Sequence, residues 1–272
     1  MNSRKMSLAG SWYPADSREF EAYLGAPDKG GSQKKYRAAI VPHAGWMYSG
    51  RIAVRTLVSL CMEKDLIIVI GGHLPPGSGV LAATEDFFKT PAGLVKNKKA
   101  IIDELSEKVR WEDDQYHDNT VEVVLVMAAW LSKKSDFLWL RAPADDTALL
   151  LGDELGRICR ERNIDAAVIG STDLTHYGGS YGYSPAGVGA HARRWVETVN
   201  DAEIIELMTA MKAEKTLQHA LKQRSACSPG AAAAAIRFAS AYGVEEGELI
   251  GYTTSYEIQP SDSFVGYTGI LY

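Results

Sequence analysis

Apolar residues in this chain fall into short unbroken runs, separated by longer stretches in which they recur every three or four positions. The runs Arg37 to Val41, Asp65 to Ile70, Phe137 to Leu140 and Asp165 to Gly170 have the length of strands and no polar face. That predicts strands covered on both sides, as in a parallel sheet. Between them, residues 50–62 carry Ile52, Val54, Leu57, Val58 and Cys61 at near-helical spacing, and residues 98–109 carry Ile101, Ile102, Leu105 and Val109. Residues 120–131 and 148–162 read as two further helices.

Before the first run, Ser7 to Tyr13 is neither helix nor strand and predicts an irregular segment packed on the body. Asp16-Ser17 caps a short helix through Leu24, and residues 25–35 read as a surface loop. Val80 to Thr84 predicts a strand, Thr90-Pro91-Ala92-Gly93 a turn, and Glu112 to Asn119 an acidic loop. Past the fourth run, residues 177–189 are rich in Gly, Tyr and Ser, the composition of a lid or pocket wall. Helices are expected over 190–199, 202–211, 215–223 and 231–241. Strands are expected over 249–258 and 264–272, split by Gln259-Pro260-Ser261-Asp262. This order predicts one α/β domain over residues 1–272. Its sheet is mixed and mostly parallel, flanked by helices, and antiparallel where the last strands pair.

Three of the runs each deliver a polar side chain directly after they end. Val41 is followed by Pro42 and His43, Ile70 by Gly71, Gly72 and His73, and Gly170 by Ser171, Asp173 and His176. In α/β sheets, ligands collect at the C-terminal ends of strands. Two histidines on successive strands with a carboxylate from Asp173 match the non-haem iron(II) pattern. Taken singly, each histidine is better explained as a loop hydrogen-bonder; the pair on matching strand ends points to a metal. Asp173-x-x-His176 reads either as a proton-transfer pair or as a turn whose amides the carboxylate caps. Cys227, just before a helix, is either a low-pKa thiol or a small buried hydrophobe. His117, in the acidic loop, is a lesser site candidate, while His191 and His219 lie among helical charges and are expected to be solvated. Tyr177, Tyr181 and Tyr183 read equally as pocket walls or packing aromatics. The Gly-rich loop after Ile70 lacks the Lys-Ser/Thr ending of a phosphate cradle.

Composition narrows the classes. A net charge of −5 and the absence of a Lys/Arg run argue against nucleic-acid binding. Three widely spaced cysteines form neither a disulfide framework nor a CxxC site, and a cytoplasmic location is expected. No apolar run reaches the roughly 18 residues of a membrane span, and the N-terminal stretch has no apolar segment of a signal peptide.

Four segments carry a resemblance: Ala9 to Pro14 (AGSWYP), Pro42 to Gly50 (PHAGWMYSG), Ser171 to Gly178 (STDLTHYG) and Val265 to Leu271 (VGYTGIL). Together, and in this order, they resemble the Memo family, called AmmeMemoRadiSam system protein B in bacteria and archaea. The resemblance implies a fold similar to the class III extradiol ring-cleaving dioxygenases, which carry non-haem iron. It further implies His43, His73 and Cys227 as metal positions, with Asp173 and His176 beside them. Animal members are implicated in cell motility, phosphotyrosine-peptide binding, and copper or iron binding. The chain departs from the family pattern in places. Gly71-Gly72-His73-Leu74 stands for Gly-Pro-Ser-His-His, Asn119 stands where a pocket histidine is expected, and Ser228-Pro229-Gly230 follows Cys227.

Two functions remain open at this stage. One is a metal-dependent, dioxygenase-like oxidoreductase on a small substrate, using iron(II) or copper, with Asp173 also a candidate ligand. The other is a non-catalytic module that kept the cleft and binds a peptide or small ligand. If Cys227 ligates, its thiolate shifts the preference toward copper or zinc.

Overall fold

The computed structural model describes residues 2–24, 35–61 and 64–272; the loop expected over 25–35 lies almost wholly outside them. Its elements in order are β1 (Ser3–Lys5), α1 (Ser17–Leu24), β2 (Ala38–Val41), α2 (Trp46–Leu60), β3 (Leu66–Leu74), β4 (Val80–Ala82), β5 (Phe87–Thr90), β6 (Gly93–Lys96), α3 (Ala100–Leu105), β7 (Trp111–Asp113), α4 (Asn119–Leu131), β8 (Asp136–Pro143), α5 (Asp146–Glu161), β9 (Ala166–Ser171), β10 (His176–Tyr177), α6 (Ala190–Trp195), α7 (Asp201–Thr209), α8 (Ala213–Gln223), α9 (Pro229–Ser240), β11 (Glu248–Thr254) and β12 (Phe264–Leu271).

The main sheet has the order β10-β12-β2-β9-β3-β8-β4-β7, with β11 also paired to β12. β2, β9, β3 and β8 are mutually parallel, while β12 runs antiparallel to β2, β10 and β11. The apolar runs thus form the parallel centre, as their unbroken burial requires. Successive residues point to opposite faces. Ile68, Ile70, Leu138 and Val168 join a core with α5 and α9, and Ile67, Val69, Phe137 and Ile169 a second core with α2 and α4. The Ala-rich α9 approaches the sheet closely. A Cβ on Gly170 would lie 2.6 Å from the Ala231 carbonyl oxygen, and one on Gly230 2.0 Å from that of Pro143.

Several expectations are corrected. His43 and His73 do not follow neighbouring strands, because β9 lies between β2 and β3. The start of the acidic loop is a strand, β7, pairing parallel to β4. β1, β5 and β6 form a separate small sheet, with the expected 90–93 turn as its hairpin. The helix after Gly189 changes to a π-helix over Val196–Asn200, and the penultimate strand ends at Thr254 in a 3₁₀ turn. No helix among the described residues is long and apolar enough to cross a membrane.

Candidate metal centre

β2 stops because Pro42 has no amide proton to continue the ladder, and His43 follows, 1 % exposed. Its Nδ1 lies 3.0 Å from the Ser171 hydroxyl at the end of β9. That contact fixes the ring and leaves Nε2, 3.3 Å from Cys227 Sγ. The intervening strand is therefore what orients the histidine from its neighbour.

His73 arrives differently. β3 and β8 stay in register up to Gly71↔Arg141 and next pair at Leu74↔Pro143, three steps against two. Such a β-bulge bends a strand and re-aims a side chain. His73 sits in it with φ of 58°, a region that histidine enters more readily than most non-glycine residues. Its ring lies 5.1 Å from that of His43, nearly perpendicular at 89°. The preceding glycines allow this approach. A Cβ on Gly71 would meet Thr120 Oγ1 at 2.2 Å, and one on Gly72 would meet Ser228 Cβ at 2.4 Å.

Cys227 comes from the other layer, two residues ahead of α9. Its amide donates to the Asp173 carbonyl at 3.1 Å, and that of Ser228 to Thr172 Oγ1 at 3.0 Å. These bonds tie the segment before α9 to the loop after β9. Asp173 Oδ1 accepts from the amides of His43 at 2.8 Å and Ala44 at 3.3 Å. Its Oδ2 lies 3.9 Å from His43 Nε2 and 3.7 Å from His176 Nε2. His176 Nε2 is buried and has no hydrogen-bond partner among the described residues, which is unusual for a buried polar atom.

All five predicted residues therefore gather at one site; His43, His73, Asp173 and His176 line a cleft of about 580 Å³ whose walls include Trp12, Tyr48, Asn119, Tyr181 and Tyr267. Of the expected tyrosines, Tyr181 lines the cleft, its ring 4.9 Å from His176. Tyr177 is buried against Phe264, and Tyr183 donates to the Gln223 carbonyl. His117 and His191 are exposed. His219 is not solvated as expected: it bridges Ser225 Oγ at 2.8 Å and Glu203 at 3.0 Å, its side chain 14 % exposed. Glu122 is turned to structure, accepting from the amides of Ser7 and Leu8 and from the Tyr13 hydroxyl.

The charges sort themselves. Burial alone would raise the Cys227 thiol, but the charge of His43 and the imidazoles of His176, His43 and His73 around the sulfur hold its pKa well below 9.0. Burial disfavours the charged form of His73, yet Asp118 and Cys227 outweigh it and push its pKa up to about 10. His176 reaches about 10 against the same burial cost, through Asp173 and Cys227. His43 is raised too, Asp173 and Cys227 overcoming its burial. Without metal, these neighbours favour the thiolate form of Cys227 and the charged forms of His73 and His176.

The donors fit a metal ion. One nitrogen each of His43 and His73 and the Cys227 sulfur lie within 4.8 Å of one another, and Asp173, His176 and Cys227 form a second such group. Donors sharing one ion at ligand distances of about 2.0–2.3 Å stand about 3.3–3.8 Å apart, so small inward shifts close the trio. The outward nitrogens of both trio histidines already have partners, Ser171 for His43 and Asp118 at 3.5 Å for His73. That is the outer arrangement metal-ligating histidines show.

The sequence reading missed Ser171, Asp118 and Arg141 as site residues. Arg141, 4 % exposed, was detectable as a charge embedded in an apolar strand. Asp118 was detectable as the helix cap it is, accepting from the Thr120 amide at 2.8 Å.

A family model described as Memo-like protein matches residues 4–271. Among similar proteins are MEMO1 family proteins of Pyrococcus furiosus, 27% identical over 98% of both chains, and of Methanothermobacter thermautotrophicus, 29% identical over 97% of this chain and 98% of that one. The solved structure of an uncharacterized protein, JW3007 from Escherichia coli K12, shares the fold at a TM-score of 0.52 and 15% identity, covering 86% of this chain and 99% of that one.

Proposed function

The chain belongs to the Memo-like protein family, and on that premise we propose that it holds copper or iron(II) on His43, His73 and Cys227 and performs redox chemistry on a small substrate in the adjoining cleft. The observation that carries this reading is the convergence of the three donors from three separate elements. Chance packing of core residues rarely leaves two imidazoles and a thiol facing one point. Bound there, either metal would supply one-electron exchange with oxygen or substrate.

The chain's own residues supply the rest. Asp173, held through Oδ1 by two backbone amides, presents its other oxygen between His43 and His176. His176, on the cleft side with a buried Nε2 that has no hydrogen-bond partner among the described residues, is placed to give or take a proton at that atom. Trp12 and Tyr181 offer aromatic faces against which a small ligand stacks. A thiolate in the donor set favours copper over iron and is itself open to oxidation.

A second reading, binding without turnover, is favoured by one observation. Asn119 occupies the cleft wall, donating to the His43 carbonyl at 3.3 Å, and an amide cannot act as a general base. Ring cleavage of simple catechols is accordingly expected to be poor. The test is metal analysis of protein purified without an affinity tag, followed by anaerobic loading and oxygen uptake with a panel of catechols. The reading expects stoichiometric copper or iron and catechol turnover below about 1 per second. Zinc alone would remove the redox role, and fast turnover would make the protein a ring-cleaving dioxygenase.

A further inference from the structure

The geometry points to Arg141 and Asp118 as the positioning residues of His73: we propose that they hold its imidazole in the metal-binding orientation. The inference rests on the metal reading above for its purpose, though not for its geometry.

His73 has an awkward station. It is a non-glycine residue at φ of 58° in a bulge, with a side chain 34 % exposed, so little packing confines it. Such a backbone costs on the order of 1–3 kcal/mol and persists only where the surroundings over-determine it. The surroundings here form a closed ring of bonds. The Gly72 amide donates to Thr120 Oγ1 at 3.1 Å, and the Gly72 carbonyl accepts from Arg141 Nε at 3.0 Å. Gly72, the residue preceding His73, is thus held through both its amide and its carbonyl. Thr120 in turn donates to Asp118 through both its amide and its hydroxyl. Arg141 Nη2 closes the ring at 3.2 Å from Asp118 Oδ2. That same oxygen lies 3.5 Å from His73 Nδ1. Backbone and ring of His73 are fixed by one pair of side chains.

The plainer role for a buried arginine is to neutralise a buried acid, and Asp114, fully buried, does lie beside it. Distances decide between them. Arg141 stands 3.5 Å from Asp114, farther than from Asp118 or from the Gly72 carbonyl. Asp114 also has a donor of its own in Trp139 Nε1 at 2.8 Å. The guanidinium's forked donors serve the bulge and the Asp118 carboxylate together, a task a lysine ammonium cannot reproduce.

The experiment measures zinc(II) affinity by competition with a chromophoric chelator, for the full-length protein and for Arg141→Lys, Asp118→Asn and His73→Ala, alone and combined. Asp118→Asn is the variant expected to fold normally, since the amide oxygen keeps the Thr120 cap. Both substitutions should weaken binding about 10–100-fold, as outer partners of metal ligands do. Neither should weaken it further in the His73→Ala background, because the effect passes through His73. A loss that persists undiminished in that background would show a general structural role and overturn the proposal. So would unchanged affinity in Asp118→Asn. A second readout needs no metal: the His73 imidazole resonances of the metal-free protein should shift in both variants, with those of His176 nearly unmoved. If the unsubstituted protein takes up no zinc or copper, the metal reading falls, and this NMR comparison alone decides the positioning claim. Unmoved His73 resonances would end it.

Discussion

Replacing Gly72 by alanine tests whether the close approach of β3 and the Cys227 segment builds the site. The added methyl would lie 2.4 Å from Ser228 Cβ and 2.9 Å from Ser228 Cα, where carbon atoms pack best at about 3.5–4.0 Å. The first contact is about 1 Å too short, and the second involves backbone, so no rotamer change relieves both. Either the bulge or the segment carrying Cys227 must move by a sizeable part of that ångström. Overpacking of this kind costs about 1–3 kcal/mol. For a chain of this size each kcal/mol lowers Tm by roughly 2–4 °C. The larger effect falls on the site. Cys227 Sγ, now 3.3 Å from His43 Nε2, would shift by more than the roughly 0.5 Å that a working constellation tolerates. Zinc affinity, measured by chelator competition, should drop at least as much as for loss of an outer partner, about 10–100-fold. Gly179→Ala is the control, since nothing lies within 4 Å of the added atom, and it should change stability by no more than about 0.5 kcal/mol. A Gly72→Ala protein with unaltered Tm and affinity would refute the claim that glycine is required there.

Three other outcomes are expected. With metal removed, iodoacetamide near neutral pH should label Cys227, whose pKa lies well below 9.0, and spare Cys61 and Cys159, which burial pushes up to about 12; mass spectrometry finding either buried cysteine labelled first would contradict this. Burial pushes Asp201 up to about 7 despite hydrogen bonds from Thr175 and Tyr252. The folded state therefore keeps a proton that the unfolded chain releases above 3.8, and this group's contribution to stability falls as pH rises from 3.8 through about 7. Asp201→Asn should remove that slope from urea melts, and an unchanged slope would show the group to be ordinary. Glu122→Ala should cost about 1–3 kcal/mol in urea unfolding, chiefly by stranding the buried Tyr13 hydroxyl, since water reaches the part-buried amides of Ser7 and Leu8; a loss well under about 1 kcal/mol would mean the Ser7–Tyr13 segment is held by packing instead.

Much of the architecture was legible because local patterns wrote it. Strands buried on both faces must be apolar throughout, so Leu66 to Ile70 and Ala166 to Gly170 declared themselves. Polar residues at their ends marked the site for the same reason. What stayed hidden depends on partners distant in sequence. Nothing local says that β9 slides between β2 and β3, and Ser3–Lys5 becomes a strand only because Phe87–Lys89 lies beside it. The acidic character of Glu112 and Asp113 suggested a loop, yet with Trp111 they form an edge strand, which tolerates charge. The bulge at His73 was hinted at by two consecutive glycines, whose meaning appears only with Thr120 and Ser228 against them. The Arg141 ring could not be assembled from sequence at all, since its members lie on β3, β8 and the start of α4.

The central claim is that His43, His73 and Cys227 hold one ion. Crystals of the tag-free protein, loaded anaerobically with copper(I), should be measured on both sides of the copper absorption edge. The account predicts an anomalous peak about 2.0–2.3 Å from one ring nitrogen each of His43 and His73 and from Cys227 Sγ. A fully loaded crystal with its copper elsewhere, or with these three side chains turned into separate pockets, would contradict it.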